Sequence, residues 1–208
     1  MTKTVLVTGG SGYFGTTLIK KLQEDGYKCR NFDISKAYDM DSDVDFIQGD
    51  IRNKDDLIHA CEGVDIVHHN VAQVPLAKDN ELFRSVNYDG VENILDVSYQ
   101  KKVKKVIYTS SSAVFGVPKE NPVTEKTNPN PGESYGQAKY DGEKICKKYI
   151  DKGLDISIIR PRTIMGHGRL GIFQILFEWI YQGQNIPVFD GGNNIYQFVH
   201  ADDLADAI

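Results

Sequence analysis

Excess basic charge is missing from this sequence: its 208 residues carry 24 Lys and Arg against 29 Asp and Glu, a formal charge of −5. A chain with that balance offers no electrostatic footprint for nucleic acid. Its densest basic stretch, Lys101-Lys102 with Lys104-Lys105, reads as a helix C-terminus facing water. Long apolar runs are missing too. None reaches the roughly 18 residues of a membrane-spanning helix, and the N-terminus shows no secretory pattern. Cysteine is scarce: Cys29, Cys61 and Cys146 are odd in number, far apart and without CxxC spacing, so they make neither a disulfide framework nor a zinc site. The histidines point to no metal either. His68 and His69 are strand neighbours facing opposite ways, His167 sits between glycines in a loop, and His200 opens the last element. What remains is 40% apolar and 25% charged, enough for a core and a solvated shell, which excludes disorder. The expectation is a cytoplasmic globular protein.

Apolar strand patterns alternate with helical ones. Val5-Leu6-Val7 reads as a strand, followed by a helix with Phe14, Leu18, Ile19 and Leu22 on one face and Gly26 just past its end. Strands are expected over 27–33, 44–47, 64–68, 103–109 and 154–159, and helices over 55–62, 80–102, 135–150 and 170–182. The stretch from Pro118 to Pro131 holds four of the seven prolines and is a long loop, a place where function gathers. Such alternation implies an α/β fold with a doubly wound parallel sheet of the Rossmann type, because parallel neighbours need crossover connections. The final residues, Asp202 to Ile208, read as the first turns of a helix without a stop signal, as in a truncated region.

Two features point to a dinucleotide. Gly9, Gly12 and Gly15 form G-x-x-G-x-x-G where the first strand meets the first helix. A pyrophosphate needs that combination of tight turn, close backbone and amides at a helix N-terminus. Asp33 follows 24 residues after Gly9 at the end of the second strand, where a carboxylate grips ribose hydroxyls and repels the extra phosphate of NADP. NAD is therefore the expected cofactor. Further on, Tyr135 and Lys139 stand at i and i+4, on one helix face. A phenol of ordinary pKa near about 10 is a poor base, but an ammonium one turn away favours the phenolate. The serine cluster Ser110-Ser111-Ser112 lies at the C-terminal end of the fifth strand, the side on which open α/β sheets bind ligands.

With these motifs in order, the chain resembles the extended short-chain dehydrogenase/reductases, in particular their NAD-dependent sugar epimerase/dehydratase branch. The matching pieces are TGGSGYFG at 8–15, Asp33, Gly49-Asp50-Ile51-Arg52, Asn70-Val71-Ala72, Val86-Asn87-Tyr88-Asp89-Gly90, SSSAVFG at 110–116, YGQAK at 135–139, Arg160-Pro161 and Phe198-Val199-His200-Ala201-Asp202-Asp203. The resemblance implies a cofactor-binding domain over 1–165 and part of a substrate-binding region over 166–208. It implies that Asp50 and Ile51 hold the adenine, that Val71, Ala72 and Ser110 line the cofactor cleft, and that Asn87 stands near the cofactor. Gly9, Gly12, Tyr13, Phe14, Gly15 and Arg160 join the cofactor-contacting set. Ser111 takes the place of the catalytic Ser/Thr, Tyr135 that of the acid/base, and Lys139 that of the residue that holds the nicotinamide ribose and tunes Tyr135. A homodimer through the helices at 80–102 and 135–150 is likewise implied.

Several positions depart from the family pattern. Dehydratases carry carboxylates directly after the catalytic Ser/Thr, where this chain has Ser112 and Ala113, which cannot supply an acid/base pair for elimination. Sugar-nucleotide epimerases tend to have Asn where Thr163 stands, and often an Arg shortly before their Tyr-Ile-His-like strand, where this chain reads Asn194-Ile195-Tyr196-Gln197. Arg162 and Arg169 are candidate replacements, since a guanidinium suits phosphate. Phe115 stands where the family usually has Tyr. The expected activity is an NAD-dependent epimerase acting on a secondary alcohol, with a nucleotide sugar as the substrate class. The alternatives are a dehydrogenase or reductase of sterol-like or other hydroxyl/carbonyl substrates, and a cofactor-binding module without chemistry.

Overall fold

The computed structural model describes residues 2–73, 80–167, 173–188 and 190–208. The chain divides into two compact units, Met1–Pro161 and Arg162–Ile208. In the first, six short strands form one sheet: β1 (Thr4–Thr8), β2 (Lys28–Asp33), β3 (Asp45–Gln48), β4 (Ile66–His69), β5 (Lys105–Thr109) and β6 (Ile156–Ile159). Every pair is parallel and the order is β3-β2-β1-β4-β5-β6. Apart from the β2–β3 step, the connections run through helices: α1 (Tyr13–Glu24), α2 (Lys54–Ala60), the run α3 (Asn80–Arg84) to α4 (Gly90–Gln100), and α5 (Ser134–Asp151). This is the doubly wound Rossmann-type sheet that the alternating pattern implies. Its strand order reverses between β1 and β4, which opens a crevice outside their C-terminal ends.

Local chemistry sets the helix ends. α1 buries Phe14, Leu18 and Ile19 and stops at Gly26, whose φ of +83° places it in the left-handed region that glycine tolerates. There the Tyr27 amide donates to the Leu22 carbonyl and the Gly26 amide to that of Gln23, closing the helix end. Asn53 caps α2, its side chain accepting from the Asp55 amide at 3.0 Å. On one side of the sheet, Leu6, Val67, Val106 and Tyr108 pack with Leu57, Val91, Ile94, Leu95, Ile145 and Tyr149 from α2, α4 and α5 in a single core cluster. The basic stretch after α4 faces water, with Lys101, Lys104 and Lys105 paired to Glu62, Asp65 and Asp155.

The run over 80–102 is one amphipathic helix in sequence, yet the structure inserts a π-helical turn, Ser85–Asp89, between α3 and α4. Five residues per hydrogen-bonded step instead of four shift the phase of the side chains. Asn87 is buried there.

The second unit contains the parallel pair β7 (Thr163–Met165) and β8 (Phe198–His200), with α6 (Phe173–Tyr181) and α7 (Ala201–Asp206). Residues 170–172, expected to begin the apolar helix, lie outside the described residues. Its described part exposes Ile175, Phe177, Trp179, Ile180 and Tyr181. Among the described residues no helix is long and apolar enough to cross a membrane.

Mid-sheet, β4 buries two imidazoles. Burial pulls His68 down to about 4, against the influence of the Asn70 side chain. Burial, reinforced by the charges of Lys139 and His68, pulls His69 down to about 3. Unfolding returns both to the ordinary value near 6.5. Between that value and about 4 the unfolded chain binds protons that the folded chain refuses, so stability is complete above the window and falls as the pH drops through it. Urea midpoints measured from pH 7 to 4.5 are expected to fall steeply. His68→Leu, which cannot titrate, should flatten that slope. An unchanged slope would contradict a buried neutral imidazole at this position.

Candidate active site

The glycine turn is built by close approach. Gly9 adopts φ +70°, and its amide donates to the Phe32 carbonyl at 2.9 Å. The Gly12 amide donates back to the Gly9 carbonyl at 3.1 Å. A Cβ on Gly15 would stand 2.2 Å from the Gly9 carbonyl oxygen and 2.6 Å from the Gly10 Cα, so only glycine lets α1 start there. Gly12 is the N-cap of α1, and no side-chain cap bond is made at this end. The amides of Tyr13, Phe14 and Gly15 therefore form the first turn, where an α-helix has no carbonyl of its own to offer. Asp33 ends β2 beside this turn, its Oδ2 accepting from the Ser11 amide at 3.1 Å.

Three further segments border the crevice. Asp50 accepts from the Arg52 guanidinium and backbone amide, and the Arg52 hydrogen bond holds its carboxyl below the usual range. Ile51 is buried against Gly90, and Val71 packs against Gly9. Ala72, half-buried, follows Val71 in the loop after β4. Asn87, carried by the π turn, brackets Gln73: its Oδ1 accepts from the Gln73 amide at 2.9 Å and its Nδ2 donates to the Gln73 carbonyl at 3.0 Å. That clamp fixes the loop that leaves β4 toward the glycine turn.

The chemistry-bearing groups gather where β5 meets α5. Ser111 begins a short 3-10 turn, Ser112–Phe115, and its Oγ accepts from the Ala113 amide at 3.2 Å. The hydroxyl proton then remains available for donation. A Cβ on Gly136 would meet the Ala113 carbonyl oxygen at 2.4 Å, so α5 begins in backbone contact with that turn. Glu133 caps the helix there, accepting from the amides of Tyr135 and Gly136. One turn further, Lys139 is only 4% exposed. Its Nζ donates to the Thr109 carbonyl at 2.7 Å and lies 5.1 Å from the Tyr108 ring and 5.9 Å from the Tyr135 ring. Burial pulls Lys139 down to about 8, with Cys146 and Glu143 acting in the opposite sense.

Ser110 and Arg160 are engaged within the protein. Ser110 Oγ donates to Glu143 Oε1 at 2.6 Å, and Arg160 grips both oxygens of the same carboxylate through Nε at 2.8 Å and Nη2 at 2.7 Å. Glu143, a buried carboxylate, escaped the sequence reading. Its signal was the spacing 135, 139, 143, which continues the face of the Tyr-Lys pair by one more turn. Tyr108 escaped as well, because an aromatic residue in a buried strand looks like any core residue. In the second unit, Thr163 Oγ1 and Tyr196 Oη are 3.0 Å apart and the Arg162 guanidinium lies 4.8 Å over the Tyr196 ring. Arg169 lies outside the described residues.

The model of the NAD dependent epimerase/dehydratase family matches residues 5–208. The chain belongs to that family. It is 54% identical to the protein y4nG of Sinorhizobium fredii over 99% of its own length and 52% of that protein's. It is 30% identical to the human sterol-4-alpha-carboxylate 3-dehydrogenase, decarboxylating, over 97% and 55% respectively. The chain thus spans about half the length of these two relatives. Among solved structures, the UDP-glucose 4-epimerase of Thermus thermophilus in complex with NAD superposes with a TM-score of 0.85 at 26% identity, covering 98% of this chain and 72% of that one.

The residues present fit the family's cofactor NAD. The glycine cradle leaves no room for a Cβ at Gly15, and the first-turn amides of α1 suit a pyrophosphate. Asp33 stands one strand away, where ribose hydroxyls would meet a carboxylate. Gly15→Ala should force the turn open and weaken NAD binding at least about tenfold, with a stability loss on the order of 3 kcal/mol. Calorimetric titration with NAD and a denaturation curve measure the two effects. Unaltered affinity would mean that the cradle holds no dinucleotide.

Proposed function

We propose that this protein is an NAD-dependent epimerase that oxidises and re-reduces a secondary alcohol, with a nucleotide sugar as substrate class, working in the cytoplasm as a homodimer. The observation that carries the reading is the Tyr135–Lys139 pair, one helical turn apart with the amine buried, beside Ser111 at the C-terminal end of β5. In this reading Tyr135 takes the proton of the substrate hydroxyl at its phenolic oxygen and returns it later. The Lys139 ammonium favours the phenolate that this requires. Ser111 donates its hydroxyl hydrogen to the substrate oxygen, where charge builds as the carbonyl forms and collapses. Bound NAD supplies the hydride acceptor and donor. Ser112 and Ala113, directly after Ser111, offer no carboxylate, which argues against elimination of water across the sugar.

A second reading, a dehydrogenase of sterol-like alcohols, draws on Thr163 and Tyr196. These bond to each other where sugar-nucleotide epimerases tend to place diphosphate contacts, and the relatives include the human sterol dehydrogenase. Absorbance of NADH separates the two: a dehydrogenase accumulates it with an apolar alcohol, whereas an epimerase interconverts a nucleotide sugar without net NADH. For the homodimer, the exposed Tyr99 of α4 and Ile150 of α5 support a face between copies. Sedimentation is expected to give twice the chain mass, and a monomer at micromolar concentration would remove that part of the reading.

Tyr135→Phe keeps the ring and removes the proton carrier. Turnover is expected to drop by about 10² to 10⁴, while calorimetry shows NAD affinity within about threefold. Undiminished turnover in the variant would falsify the catalytic assignment.

A further inference from the structure

Three turns of α5 present Tyr135, Lys139 and Glu143 in line. Glu143 is 5% exposed, yet neither a substrate nor a cofactor role calls for a carboxylate at that depth. It is fully engaged: Ser110 donates to one oxygen, and Arg160 holds both. The Arg160 side chain is about one-third exposed and lies 5.1 Å over the Phe115 ring, so it spans from the surface to the buried carboxylate. We propose that Glu143 is a positioning residue for the active site: its buried charge, metered by Arg160 and Ser110, keeps Lys139 protonated so that Lys139 can lower the proton affinity of Tyr135. The proposal rests on the reading of Tyr135 and Lys139 given above.

The surroundings of Lys139 leave Glu143 that task. From α5 it faces Tyr135, Glu143 and Cys146; the Cys146 thiol, itself pushed up to about 12 by burial, is uncharged at neutral pH. From β5 it faces the Tyr108 ring and the Thr109 carbonyl, and burial holds the Tyr108 phenol neutral. From β4 it faces His69, which burial keeps neutral. After β6 stands Arg160, a cation paired with Glu143. Burial alone drives Lys139 toward the neutral amine. A carboxylate two helical turns from the phenol offsets that drive without occupying the reacting centre.

The test reads Lys139 directly. In the purified, cofactor-free protein, the 13Cε signal of isotope-labelled lysine is followed against pH, and the Lys139 signal is assigned by its loss in Lys139→Arg. Glu143→Gln is expected to lower the Lys139 midpoint by about one unit or more, because it deletes the anion that favours the ammonium. Arg160→Gln is expected to move it in the opposite direction. In turnover assays, the rise of kcat/KM with pH should shift to higher pH in Glu143→Gln and recover partly in Glu143→Asp. A purely structural role would lower activity or melting temperature in both variants without these opposed shifts. Equal midpoints in wild type, Glu143→Gln and Arg160→Gln, with thermal melts showing folded protein, would overturn the proposal. That result is separate from failure of the underlying reading, which would appear as retained turnover in Tyr135→Phe.

Discussion

An ammonium group taken out of water is the constraint around which the first unit is arranged. Moving such a charge into a protein interior costs several kcal/mol unless donors, acceptors and counter-charges take over from solvent. Lys139 meets that cost with the Thr109 carbonyl, the Tyr108 ring and the carboxylate one turn further along α5. Each of these needs α5 to lie against β5 at very short range. Gly136 and Gly142 permit this, the first touching the Ala113 carbonyl and the second the Tyr108 hydroxyl at distances no Cβ could share. The helix is thus seated by its glycines, and the seat fixes where the amine and the phenol stand.

The same logic of close approach governs the other side of the crevice. At the glycine turn the backbone of α1 nearly touches that of the preceding loop, and Val71 closes in on Gly9 from the end of β4. Parallel order and the reversal between β1 and β4 then bring both assemblies to one end of the sheet. The glycine turn and Asp33 lie around β1 and β2, and Ser111, Tyr135 and Lys139 where β5 meets α5, so motifs far apart in sequence converge on one end of the sheet.

Much of this was legible in the sequence because it rests on local rules. Apolar runs of strand length, glycines at fixed offsets and an i, i+4 pair on a helix each carry their own signature, and all fell within elements of the expected type. The parts that escaped are those decided by tertiary contact. Nothing in Ser85–Asp89 distinguishes a π turn from an α turn, since the choice follows from Asn87 reaching Gln73. A three-residue strand such as Thr163–Met165 has too few positions to show alternation. Glu143 looks like any solvated helix glutamate until the fold brings Ser110 and Arg160 to it. The pair His68-His69 showed only alternating faces in sequence, while burial of both rings depends on layers packed on either side of the sheet.

The π turn also couples two registers that a regular helix would leave independent. Upstream and downstream of Ser85–Asp89, the helix answers to different partners: Asn87 to the loop after β4, and Val91, Ile94 and Leu95 to the core. Winding the same residues as uninterrupted α-helix would rotate everything beyond them by about 100°. Either the clamp on Gln73 or the apolar stripe of α4 would then point the wrong way. The extra residue acts as a phase adjuster, and the chain can tolerate many side-chain changes across this segment more readily than a change in its length.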